Sequence, residues 1–153
     1  MELQDEVHIA APRETVYAAL NDPEILKQCI PGCEELIKHS DNELEAKVVL
    51  KIGPVKAKFG GNVTLDTSQA PDRFSLTGEG VGGPAGYAKG GADVELVEDA
   101  EGTLLRYHAK SEIGGKIAQL GSRLIVSTSR KLASKFFAKF AEVMAERQGQ
   151  PAA

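Results

Sequence analysis

Polar and apolar positions along this chain change period three times. From Glu2 to Ile9 they alternate. Leu3, Val7 and Ile9 fall on one side and Glu2, Glu6 and His8 on the other, which predicts a strand with one wet face. Ala11-Pro12-Arg13-Glu14 then opens a short helix through Leu20, with proline tolerated at the first helical position and Glu14 at the positive end of the dipole. Asn21-Asp22-Pro23-Glu24 repeats the signal, with Asp22 as cap of a second short helix that runs to about Cys29 and ends at Pro31-Gly32. From Cys33 to about Glu112 alternation returns in six runs: CEELIKHS, ELEAKVVLKIG, VKAKFGGNVTLDTS, RFSLTGEGV, YAKGGADVELVED and GTLLRYHAKSE. Turn signals such as Ser40-Asp41-Asn42, Gly53-Pro54 and Gly82-Gly83-Pro84 separate them. Leu44, Ala46, Val48 and Leu50 share one face, and Val55, Ala57 and Phe59 alternate with Lys56 and Lys58. In the last third, Gly114 to Arg147, apolar residues recur in steps of three and four: Ile117, Leu120, Leu124, Thr128, Leu132, Phe136, Phe140 and Val143. Ile125, Ala133, Phe137 and Met144 widen that stripe. Helix throughout would span roughly 45–50 Å.

Loops this short leave no room for helical crossovers, so the six runs and the first strand predict an antiparallel sheet. The fold class is α+β, with a curved seven-stranded antiparallel sheet wrapped around the long C-terminal helix and two short helices after the first strand. Residues 1–148 read as a single domain and 149–153 as a short flexible tail. Glycines 60, 61, 78, 80, 90 and 91 fall inside strand runs, where they permit bulges and sharp coiling. With five Phe, three Tyr and no Trp, a bent sheet around a straight helix is expected to leave an apolar cavity between the two.

The charge balance adds a second feature. The 153 residues carry a net charge of -4. Residues 1–109 hold 10 basic and 19 acidic groups, whereas 110–139 hold seven basic groups against Glu112 alone. The cations Arg123, Arg130, Lys131, Lys135 and Lys139 therefore mark the helix as the basic region of an acidic chain. That face reads either as a solvated surface or as a surface for anionic lipid or an acidic partner. Overall acidity and few aromatics argue against nucleic acid. No window approaches 18 consecutive apolar residues. Two cysteines and no export signal point to a reducing, cytoplasmic setting.

Candidate chemistry is sparse. GEGVGG at 78–83 fits G-x-G-x-x-G, but Pro84 and another strand-like run follow where a dinucleotide site needs a helix. Cys29 and Cys33 flank a Pro-Gly turn without the further ligands that structural zinc requires. His8, His39 and His108 form no paired motif, and no nucleophile–base arrangement is visible. Glu79, between two glycines, is the one carboxylate placed where it could face a cavity. No catalytic and no metal-ligating residues are assigned, and no covalent cofactor.

Four blocks in this order, NDPEILKQCIPGCEEL at 21–36, VVLKIGPVKAKFGGNVTL at 48–65, GEGVGGPAGYAKGGADVEL at 78–96 and GGKIAQLGSRLI at 114–125, resemble the CoxG family, the G-subunits of carbon monoxide dehydrogenase. That family belongs to the START-like (SRPBCC), helix-grip superfamily. The resemblance implies a helix-grip fold and an auxiliary, non-catalytic role beside a molybdenum-containing CO dehydrogenase or related hydroxylase. It also implies an apolar ligand such as menaquinone or a lipid, and recruitment at the inner face of the membrane. Some members carry a C-terminal anchor, whereas this chain ends at Ala153, so the contact expected here is peripheral or partner-mediated. Architecture and resemblance together nominate Leu26, Ile30, Phe59, Phe74, Leu76, Tyr87, Ile117, Leu120, Leu124 and Thr128 as the ligand's wall. Gly121 would allow close approach to the helix backbone. Arg123, Arg130, Lys131, Lys135 and Lys139 are the candidate partner or membrane surface. The alternatives are a surface-acting recruitment factor without ligand and a cyclase-like enzyme using Glu79 or a histidine in the same cavity.

Overall fold

The computed structural model describes residues 1–147. Its elements run β1 (Glu2–Ile9), α1 (Arg13–Leu20), α2 (Pro23–Cys29), β2 (Cys33–Ser40), β3 (Glu43–Ile52), β4 (Val55–Asp66), β5 (Arg73–Val81), β6 (Tyr87–Asp99), β7 (Gly102–Gly114) and α3 (Ser122–Arg147). One-turn 3₁₀ segments occupy Gly83–Ala85 and Lys116–Leu120. The seven strands form one antiparallel, curved sheet in the order β1-β7-β6-β5-β4-β3-β2. Strands β2 to β7 are a meander, β1 closes onto β7, and α1 and α2 carry the chain from one sheet edge to the other. This is the α+β element order that the alternation predicts, and the helix-grip fold that the resemblance implies. The expected tail at 149–153 lies outside the described residues.

Local chemistry accounts for the boundaries. The Asp22 carboxylate accepts from the Glu24 N–H at 2.9 Å, and Pro23 supplies a first helical residue whose missing N–H costs nothing there. The long helix is shorter than its apolar periodicity suggests. Gly114 ends β7, Lys116–Leu120 is a separate turn, and α3 begins only at Ser122. Gly115 (φ +81°) and Gly121 (φ +97°) take left-handed conformations that interrupt any α-helix. The remaining 26 residues span about 39 Å. The strand glycines do not mark bulges either: register shifts occur in β2, at Cys33/Glu35 and Lys38/Ser40, while β4, β5 and β6 pair continuously.

The packed core sits under the C-terminal half of α3. Phe140 is fully buried, with Val143 and Met144, against Ile9, Val16, Ile25, Leu96 and Leu105. Tyr17 meets Phe74 edge-on at 5.6 Å, and Tyr107 stacks on Phe137 at 5.5 Å. Removing a side chain such as Phe140 from water contributes roughly 1.5–3 kcal/mol. Thr103, the one fully buried polar residue described, donates its hydroxyl to the Ala11 carbonyl at 2.7 Å and so fixes the entry to α1.

Candidate ligand cavity

Side chains alternate across a strand, so the antiparallel register decides which residues face α3. Toward the N-terminal half of the helix, three rows of neighbours form the inner face. They are Ala46–Gly61–Gly80–Ala88, Val63–Gly78–Gly90–Ser111 and Leu76–Ala92–Ala109. Almost nothing larger than a methyl group rises from the middle of this floor. Above it, Ile125, Thr128, Ser129 and Leu132 descend from α3 at helical spacing, and Ile117 reaches in from the 3₁₀ turn. A helix held off a bare floor leaves a cavity of about 540 Å³, bordered at the β3–β4 side by Leu50, Ile52 and Phe59 and near α2 by Ile30 and Pro31. That volume lies in the range of small-molecule sites, and the lining is overwhelmingly apolar.

The glycines differ in what they tolerate. A Cβ on Gly78 would come within 2.8 Å of the Asn62 carbonyl oxygen, so the coiled sheet itself requires glycine there. A Cβ on Gly80 would meet nothing nearer than 3.9 Å, because the space beside it belongs to the cavity.

The nominated residues divide. Ile30, Phe59, Leu76, Ile117 and Thr128 line the cavity, with Ile117 only 2% exposed. Leu26 instead packs with Leu44 and Leu65 in the adjoining core, and Phe74 belongs to the core with Tyr17. Tyr87 is 40% exposed and lays its ring over Gly114 at the sheet surface. Leu120 ends the 3₁₀ turn outside the lining, and Leu124 turns toward Gly53 in the β3–β4 turn. Gly121 is exposed and serves the chain break before α3 rather than a backbone approach to the cavity. These six lie outside the cavity lining. Leu120 and Gly121 belong to the turn that precedes α3, and Leu124 lies in its first turn beside the β3–β4 turn. Sequence reasoning overlooked the floor: Ala46, Gly61, Gly80, Ala88, Ala92 and Ala109. Their signal was present as small residues at alternate, inward positions of β3 to β7.

Apart from the exposed Met1 ammonium, which donates to the Ser111 carbonyl at 2.9 Å, the cavity is nearly empty of charge. Glu79, Lys89 and Lys110 reach its floor through backbone, while alternation sends their exposed side chains to the outer face, where Lys89 pairs with Glu112 at 3.5 Å. The histidines also lie outside it, paired with Asp99 (3.2 Å), Glu45 (3.0 Å) and Glu2 (3.5 Å) for His8, His39 and His108 respectively. The bond from His8 and those from the Glu101 and Gly102 N–H groups hold Asp99 below the usual carboxylate range. Cys29 is buried and Cys33 half-buried, both free, and loss of solvation pushes both thiols above their ordinary range. Among the described residues, no group of three or more His, Cys, Asp or Glu side chains is placed to hold a metal. GEGVGG runs from β5 into a 3₁₀ turn and then β6, so no helix N-terminus faces it.

On the outer side of α3, Arg123, Arg130, Lys131 and Lys135 are exposed and, among the described residues, form no ion pair. Lys139 is half-buried and lies 3.5 Å from Glu142. No helix among the described residues is long and apolar enough to cross a membrane.

Comparison with known proteins agrees with this architecture. A conserved protein from Geobacillus kaustophilus is 28% identical, with a TM-score of 0.89 over 95% of this chain and 96% of its own. A START superfamily protein from Mycobacterium smegmatis is 14% identical, with a TM-score of 0.71 over 95% and 97%. An aromatase/cyclase from Streptomyces sp. R1128 is 13% identical, with a TM-score of 0.71 over 100% and 98%. The last two share the fold alone. No curated protein matches by sequence. The family model for the carbon monoxide dehydrogenase G-subunit (CoxG) matches residues 6–145. The chain belongs to that family.

Proposed function

From membership of the CoxG family, we propose that this chain is a non-catalytic carrier that holds an apolar, quinone- or lipid-like molecule between α3 and the sheet. In this role it supports a molybdenum hydroxylase or CO dehydrogenase at the membrane. The observation that carries the reading is the cavity of about 540 Å³, with an almost uncharged, hydrocarbon-rich lining. Binding there would be driven by burial of apolar surface, at roughly 25 cal/mol per Å² before the costs of ordering. A cyclase-like reaction needs an acid or base within reach of the substrate, and the candidates Glu79 and the histidines sit on other faces.

Native mass spectrometry and organic extraction of the purified protein test the carrier reading. A co-purifying apolar molecule, or saturable binding of menaquinone or a phospholipid, is the expected result. A protein that shows neither overturns it.

A second reading has its own observation, the exposed cations of α3 that lack partners among the described residues. They fit a surface for anionic lipid or an acidic partner, which would bring the carrier to the inner membrane face. Reversing charge at Arg130, Lys131 and Lys135 together is expected to abolish salt-sensitive binding to anionic vesicles. Unchanged vesicle and partner binding would defeat this reading.

A further inference from the structure

Three segments meet at one end of the molecule. The β3–β4 turn touches the start of α3, where Leu124 lies against Gly53. The Phe59 ring of β4 lies against Gly82 in the β5–β6 turn, and Gly86 of that turn packs on Gly115 before the second 3₁₀ segment. Residues 46–61, 80–88 and 113–124 build this end. They contain Lys47, Lys51, Lys56, Lys58, Lys116 and Arg123 and not one Asp or Glu. Lys47 and Lys58 pair with Glu35 and Glu34 of β2 at 3.1 and 3.0 Å. The other four are exposed and form no ion pair among the described residues. Lys51 and Lys56 are also direct cross-strand partners, an arrangement in which like charges repel.

The same end carries apolar surface. Val81 is 57% exposed and Tyr87 40%, and the two are register partners on the outer face of the sheet. Their row continues into glycine on both sides, Gly60 beside Val81 and Gly114 beside Tyr87, and so offers no further side chain to cover them. Pro84, in the turn between them, is exposed as well. Directly behind, Ile52, Gly80, Ala88 and Ile113 line the cavity from the strand ends that meet these turns. Cations that repel one another gain from a dense negative surface, and an exposed apolar pair gains from leaving water. A bilayer with anionic headgroups supplies both, and its interface suits tyrosine. We propose that this end docks on an anionic bilayer. Val81 and Tyr87 enter the interface, while Lys51, Lys56, Lys116 and Arg123 lie against the headgroups. The inference rests on the membrane role proposed above and names the face that performs it, a face that sets one end of the apolar cavity against the lipid.

The chain contains no tryptophan, so Val81→Trp and Val97→Trp are single reporters toward opposite ends of β5 and β6 on the outer face. Both positions are exposed, and neither change disturbs the core. With vesicles of phosphatidylcholine and phosphatidylglycerol, the emission of Val81→Trp should shift to the blue. Lipids brominated on the acyl chain should quench it, while Val97→Trp stays unchanged. Adding Lys51→Gln and Lys56→Gln to the Val81→Trp chain should weaken vesicle binding roughly thirtyfold. Equal quenching of both reporters, a shift without bromine quenching, or unchanged binding in the lysine variant would overturn the proposal. So would a blue shift that grows with protein concentration in the absence of vesicles, since a second copy of the chain would then cover the patch. If the Val81→Trp chain binds vesicles with no change in emission, the membrane role stands and only this face is wrong. If it binds no anionic vesicle, both fall.

Discussion

The two halves of α3 lie over the same sheet and do opposite things. Its C-terminal half buries Phe140, Val143 and Met144 against Leu96, Leu105 and Ile9, and no room is left. Its N-terminal half presents Ile125, Thr128, Ser129 and Leu132 to a floor of Gly61, Gly78, Gly80, Ala88, Ala92 and Ala109. None of those four helix residues is fully buried. Backbone geometry is shared along the whole sandwich, so the size of the opposing strand side chains decides which end is core and which is cavity. A dense interior requires matched volumes on both surfaces, and here the matching is withdrawn at one end.

The sharpest way to break that contrast is a pair of truncations on one helix. Phe140→Ala should destabilise the protein by about 3–5 kcal/mol in chemical denaturation, through lost burial and an unfilled hole. Leu132→Ala enlarges a space that already exists and should cost about 1–2 kcal/mol, with the larger effect on ligand affinity. Equal costs would mean that both ends are packed alike.

Thr103→Val tests how tightly the packed end is specified. Loss of the 2.7 Å bond leaves the Ala11 carbonyl buried without that donor, and about 1–2 kcal/mol should disappear from the unfolding free energy.

Gly80→Val fills the open end instead. The nearest atom to a new Cβ is 3.9 Å away, so stability should change by less than about 1 kcal/mol, while affinity for any apolar ligand should drop at least about tenfold. Normal binding in this variant would place the ligand elsewhere.

The smallest effect concerns the two thiols beside α2. Burial raises both, so each stays protonated to higher pH than in the unfolded chain. A raised acid favours folding less as pH climbs past its unfolded value, so the thiols contribute a mild loss of stability on the alkaline side. Cys29→Ala with Cys33→Ala should flatten that alkaline slope. In the native protein, half-buried Cys33 should react with a thiol reagent before buried Cys29.

Much of this molecule was legible before any coordinates. Strand alternation placed β3 and β4 with their faces assigned, Asp22-Pro23 marked the start of α2, and the count of strands against one long apolar stripe specified a sheet wrapped on a helix. Ile30, Phe59, Leu76, Ile117 and Thr128 were also recognisable as residues of the space between them. Three- and four-residue spacing could not reveal that Gly121 ends the turn before the helix, because it fits the stripe's rhythm and only its positive φ interrupts it. Leu120 and Leu124 instead fall at the entry to α3, Leu124 beside Gly53. Large apolar residues attract attention as ligand contacts, yet Phe74 and Leu26 were consumed by the core.

Sequence alone determined the periods, the caps, the element order and the concentration of cations on α3. These are local properties, set by residues within a turn or two of one another. Tertiary structure decided which strands bring their small residues into line. The row Gly61–Gly80–Ala88 is assembled from three strands and exists only through their register. A cavity is a deficit of volume summed over residues distant in the chain, and no single stretch of sequence carries it.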